Sequence, residues 1–103
     1  MNTINFSCNW NNKLGCNIFT TFRLQNTKYR VGSHHKIHLK GKEKGVAEVV
    51  SINDMPLRMV TEGIALIDTG YNLDEFKKIV RKMYKNADRE LYSLIFMRWV
   101  SKA

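Results

Sequence analysis

Apolar and polar residues alternate with period two over His34–Lys40, where His34, Lys36, His38 and Lys40 fall on one parity and His35, Ile37 and Leu39 on the other. That is the pattern of a strand with one polar face, here a cationic one. Ile4–Phe6 and Asn17–Leu24 read as two earlier strands. Gly41-Lys42-Glu43-Lys44-Gly45 follows as a short polar loop, and Val46–Ile52 returns as a β-branched strand, so a hairpin is expected with its exit at Asn53-Asp54.

From Pro56 the period changes. Met59, Val60, Ile64 and Ile67 follow helical spacing, with Gly70 as terminator. Asn72 followed by Glu75 resembles a capping pair, and Leu73, Phe76, Val80 and Met83 then form one apolar stripe of a second helix. Its other side, Lys77, Lys78, Arg81, Lys82 and Lys85, reads as a solvated face. Asp88-Arg89-Glu90 is a polar turn, and Leu91–Val100 carries apolar residues on both parities, which predicts a central strand buried on both faces. The order is strands, then helices, then a strand.

The chain of 103 residues has one proline, Pro56, and no repeat or linker, so a single domain over residues 1–103 is expected. Net charge is +8 and lopsided: residues 1–47 hold eight Lys or Arg against Glu43 alone, for +7, and the remainder nets +1. A field of that sign favours polyanions, nucleic acid or acidic membrane, without deciding which, and of these RNA or single-stranded nucleic acid is the expected partner. No run reaches the roughly 18 apolar residues of a spanning helix, and Met1–Asn5 lacks the charged start and apolar core of a signal peptide. Together with two cysteines, Cys8 and Cys16, in no disulfide-like framework, this predicts a cytoplasmic protein with free thiols and no membrane partner.

The candidate chemistry centres on Thr20-Thr21-Phe22-Arg23, where an arginine able to fork onto phosphate or a base edge stands beside hydroxyls. Lys28, Arg30, Lys36 and Lys40 are the expected phosphate contacts. Tyr29 and Tyr71 are the better candidates for stacking on a base, whereas Trp99, in the apolar closing strand, reads as packing. Arg23 also has a structural reading, tying the end of the sheet together through backbone carbonyls or Asp68. His34, His35 and His38 do not make a metal site on a strand: His34 and His38 lie about 13 Å apart and His35 points to the other face. They read as exposed histidines on a basic face, and neither a metal nor a cofactor is expected.

Thr20-Thr21-Phe22-Arg23, Val31-Gly32, the Val46–Ile52 strand and Thr69-Gly70-Tyr71-Asn72-Leu73-Asp74-Glu75-Phe76 together resemble the ASCH domains of the PUA-like superfamily, over roughly residues 13–99. The resemblance implies an α+β fold, a small PUA-like β-barrel of about five strands with two adjacent helices. It also implies a cleft that binds RNA or a modified nucleoside, lined here by Thr21 and Arg23. Small bacterial members of the family include N4-acetylcytidine amidohydrolases. Their signature, Gly-x-Lys-x-x-x-x-Arg with a threonine two residues before the arginine, is met by Thr21 and Arg23. The lysine position falls on Ile18 and the glycine position on Cys16. The family's acid, just before the glycine between the helices, falls on Thr69, with Asp68 one step earlier.

Two chemical groups of the enzymatic relatives are therefore displaced, and binding without catalysis is the expected function. The enzymatic alternative asks Thr21 and Asp68, with a lysine such as Lys13, Lys28 or Lys36 from elsewhere, to hydrolyse an acylated nucleoside. A third alternative is an interaction module for an acidic protein.

Overall fold

The computed structural model describes residues 1–103. Five strands, β1 (Asn2–Phe6), β2 (Ile18–Leu24), β3 (His34–Leu39), β4 (Lys42–Pro56) and β5 (Leu91–Lys102), form one sheet in the order β1-β3-β4-β5-β2. β1 runs parallel to β3, and every other neighbour is antiparallel. Two α-helices, α1 (Glu62–Thr69) and α2 (Leu73–Met83), lie between β4 and β5, with short 3-10 turns at Trp10–Gly15, Leu57–Met59 and Ala87–Arg89.

β1 and β2 are the two ends of this sheet, yet they touch. The Arg23 guanidinium donates from Nη2 to the Asn5 carbonyl at 2.6 Å, and the Phe6 and Phe19 rings meet at 6.1 Å. The sheet is therefore curled into a half-barrel, a mixed α+β fold. β5 lies between β4 and β2, and its consecutive buried residues Tyr92, Ser93, Leu94 and Ile95 show that both of its faces are covered. Ile95 and Met97 join Ile4, Phe19, Ile37 and Val49 inside the curl, whereas Tyr92 and Leu94 join Phe22, Phe76 and Val80 beneath the helices. The Phe22 ring, stacked on Tyr92 at 4.7 Å and edge-on to Phe76 at 5.2 Å, ties β2 to α2.

Several boundaries move. The expected Gly41–Gly45 loop is instead a two-residue turn at Lys40-Gly41, both with positive φ (51° and 80°), and β4 begins at Lys42. Two left-handed residues match the twist of the flanking strands, so no longer loop is needed. β4 also runs past Asn53-Asp54 to Pro56, because its far half pairs with β5 as far as Pro56 opposite Leu91.

The first helix starts later than its apolar spacing implies, at Glu62, where the Thr61 hydroxyl accepts from the Ile64 N–H. Met59 and Ile67 are exposed, and α1 buries Ala65, Asp68 and Thr69 instead. The stripe holds in part, since Val60 is buried and Ile64 packs against the same core, whereas the last turn of α1 turns Asp68 and Thr69 inward. α2 follows its expected pattern, with the Asn72 carboxamide accepting from Glu75 N–H at 2.9 Å and Phe76 and Val80 buried, although Met83 is exposed. No helix is long and apolar enough to cross a membrane.

Candidate functional site

The polar face of α1 has a partner. Asp68, in its last turn, is 5% exposed, and Lys13, from the Trp10–Gly15 turn, is also 5% exposed. Lys13 Nζ donates to Asp68 Oδ1 at 2.9 Å and to the Asp68 carbonyl at 2.9 Å. That carbonyl is one of the orphan acceptors at a helix C-terminus, where a cation is also favoured by the helix dipole. Thr20 on β2 donates its hydroxyl proton to the same Oδ1 at 2.7 Å. Burial pushes the Lys13 ammonium below the ordinary lysine range, outweighing the opposing pull of Asp68.

Thr21 and Arg23 project from the opposite face of β2. Thr21 Oγ1 accepts from Arg23 Nε at 2.9 Å, and the guanidinium lies 4.8 Å above the Phe6 ring. Burial lowers the Arg23 pKa, but a guanidinium retains its charge at any physiological pH. With Nε on Thr21 and Nη2 on Asn5, its Nη1 makes no bond within the protein.

Lys13, Asp68, Thr21 and Arg23 together line a narrow cleft of about 80 Å³ between the exit of β1 and the inner face of α2. Phe6, Trp10, Phe22, Phe76 and Tyr84 supply its aromatic walls, and Cys8 stands beside Lys13.

Of the residues expected at the site, Thr21, Arg23 and Asp68 are brought together here. Tyr71 is 45% exposed and meets Trp10 edge-on at 5.7 Å, so it stands at the lip. Tyr29 is a correction. It is 9% exposed and belongs to the core with Ile4, Phe19 and Ile37, with Lys28 Nζ 5.2 Å above its ring, and it lines the hollow beside Arg30, not the cleft. The segment leading into β3 rolls this ring inward to plug the curl.

Arg30 is exposed beside a separate hollow with Gln25, Asp54 and Ser93. Lys36 is exposed on β3 and Lys40 sits in the β3–β4 turn; Lys28, Arg30, Lys36 and Lys40 do not line the cleft.

His35 is a second correction. Far from being an exposed histidine, it is buried, with Nε2 2.9 Å from Ser33 Oγ and Nδ1 without a partner, because its parity on β3 is that of Ile37. Desolvation lowers its pKa. Trp99 packs against Phe19 and donates to the Leu14 carbonyl at 3.1 Å, the structural role expected of it. No group of three or more His, Cys, Asp or Glu side chains is placed to hold a metal ion.

Sequence spacing could not single out Lys13 because it lies in a turn without strand or helix periodicity. Ile18, at the signature's lysine position, is exposed and lines a different groove. The only local signal is Asn11-Asn12, a pair tolerant of the left-handed turn that precedes Lys13.

No protein-family model and no curated protein sequence matches the chain. A solved structure does: protein EF3133 of Enterococcus faecalis, described by the family model DUF984, superposes with a TM-score of 0.66 over 100% of this chain and 83% of its own, at 13% identity. At that identity the likeness is one of fold, and the chain shares its half-barrel architecture with that protein.

Proposed function

We propose that the cleft is an ASCH-like, PUA-like site that binds a nucleoside bearing an exocyclic acyl amide and hydrolyses that amide. The observation that carries this reading is the meeting of Lys13 with Asp68 in the cleft that also holds Thr21 and Arg23. The lysine absent at Ile18 and the acid absent at Thr69 have substitutes, drawn from a turn and from one residue earlier on α1.

In this scheme the Thr21 hydroxyl attacks the amide carbonyl carbon. The deprotonated form of Lys13, whose share burial raises, takes the hydroxyl proton across the cleft that both side chains line and returns it to the leaving amine as the C–N bond breaks. Arg23 Nη1, which makes no bond within the protein, donates to the carbonyl oxygen as charge develops on it. Water then cleaves the acyl ester on Thr21, releasing the carboxylic acid and restoring the hydroxyl. Asp68 keeps Lys13 in place throughout.

Incubation with N4-acetylcytidine tests this directly. Release of cytidine and acetate is expected, falling by about 100-fold or more in Lys13→Met and Thr21→Val, the scale of a lost acid–base or nucleophilic group. Absence of cytidine release from the native chain would eliminate the proposal.

A second reading, binding of RNA or single-stranded nucleic acid without turnover, is favoured by the +8 charge and by Lys36 and Lys40, which have no acidic partner. It expects affinity that falls steeply with salt and survives Lys13→Met. Salt-insensitive binding would count against it.

A further inference from the structure

The segment that brings Lys13 to the cleft has an unusual backbone. Asn11 and Asn12 are consecutive left-handed residues, at φ 56°, ψ 23° and φ 53°, ψ 26°. Their side is buttressed by the end of α1. Gly70 (φ 79°) lies so close to Asn11 that a Cβ on it would stand 3.1 Å from Asn11 Cγ. The two segments run past each other in register: Trp10 meets Tyr71, Asn11 meets Gly70, and Lys13 meets Asp68. Asn9 closes the turn, its carbonyl accepting from Asn12 N–H at 3.1 Å and its Oδ1 from Leu14 N–H at 3.0 Å.

A right-handed turn over residues 11 and 12 would redirect the chain at the step before Lys13. Asparagine tolerates the left-handed region, whereas other side chains meet the following carbonyl there and a β-branched one is an outlier. We propose that Asn11 and Asn12 are positioning residues, whose paired left-handed conformation, seated against Gly70, aims the Lys13 amine at Asp68 and the cleft. The placement of Lys13 follows from this geometry whatever the cleft binds; only the consequence for turnover rests on the hydrolase reading.

The test reads Lys13 itself in the full chain. Its side-chain titration is followed by NMR, and its rate of acetylation by acetic anhydride is followed by peptide mass spectrometry. Asn11→Gly and Asn12→Gly keep the left-handed backbone and are expected to retain the lowered titration and slow labelling. Asn11→Val and Asn12→Val are expected to release the amine, moving its titration up towards the ordinary lysine range and speeding labelling by roughly 5- to 30-fold, the population shift set by the left-handed penalty. Should a valine variant fail to fold, the corresponding alanine variant carries a smaller penalty of the same kind and is expected at the low end of that range.

A merely structural role would lower stability in the glycine variants without this glycine-versus-valine split. Valine or alanine variants with Lys13 unchanged, or glycine variants that release it, would overturn the proposal. If Lys13 responds as expected while N4-acetylcytidine is untouched, positioning stands and the hydrolase reading falls.

Discussion

Two aspartates in this fold hold a buried hydroxyl on a strand, and they do so at different cost. Asp54 on β4 accepts from Ser93 Oγ at 2.6 Å and from Gln25 Nε2 at 3.3 Å, and is itself exposed, so water solvates its charge. Asp68 accepts from Thr20 Oγ1 at 2.7 Å but is buried, and its charge is matched only by bringing Lys13 out of water as well. The desolvation of two ions commonly cancels or exceeds their attraction, and apolar residues of similar volume would hold α1 against β2 as well or better. The Asp54 pair is thus an inexpensive tie between strands. The Asp68 pair is a costly one placed at the wall of a cleft, which is why it carries the functional proposal.

The largest effect expected is from breaking the costly pair on one side. Asp68→Ala or Lys13→Ala leaves an uncompensated buried charge and should lower unfolding free energy by about 3–5 kcal/mol, against about 1 kcal/mol for Asp54→Ala. Denaturant unfolding of the three variants would erase the contrast if the losses were equal.

Arg23 is intermediate between these cases. Its bond to the Asn5 carbonyl joins the two ends of the sheet, so Arg23→Ala should lose ligand binding and also about 1–3 kcal/mol of stability. A melting temperature unchanged by that substitution would mean the curl is held by Phe6 and Phe19 alone.

Smaller effects come from pH. The lowered Lys13 pKa means that the unfolded chain holds a proton the folded chain has lost, between the folded pKa and the ordinary lysine value. Stability conferred through this site therefore rises with pH across that window. The slope should vanish in Lys13→Met, and a wild-type slope equal to that of the variant would show that Lys13 titrates normally. Tyr92 opposes it in both proteins, since burial pushes its phenol up to about 12 and stability through it falls as pH rises from the ordinary tyrosine value towards that point.

His35 sharpens the contrast from the acid side. It is buried like Asp68 but has no ion partner, and Lys28, His34 and the N-terminus disfavour its charge further. The unfolded chain takes up a proton that the folded chain refuses as pH falls from the ordinary histidine value to its lowered one, so stability should decline across that window. His35→Phe should flatten the decline, and an acid limb unchanged by the substitution would remove His35 as its source.

The strand and helix pattern was legible where one face is apolar. β3 and α2 show their periodicity plainly, and the two-sided burial of β5 follows from apolar residues on both parities. What the pattern hid is the inward face of α1, where Asp68 and Thr69 occupy positions that burial usually gives to apolar side chains, while Ile67 faces out. Thr21, Arg23 and Asp68 could be read as a site from their neighbours in sequence. Lys13 could be named only as one of three lysines, because 55 positions separate it from Asp68 and no periodicity foretells the left-handed Asn11-Asn12 turn that precedes it. The parallel pairing of β1 with β3 and the inward roll of Tyr29 are likewise long-range outcomes without a local signal.

The double variant Lys13→Met/Asp68→Leu, assayed for release of cytidine from N4-acetylcytidine beside the native chain, separates cost from purpose most directly. Its melting temperature should stay near or above the native value, since the ion pair contributes little net stability. Cytidine release is expected from the native protein and none from the double variant at that preserved stability. Equal release by both, or none by the native chain, would contradict that expectation.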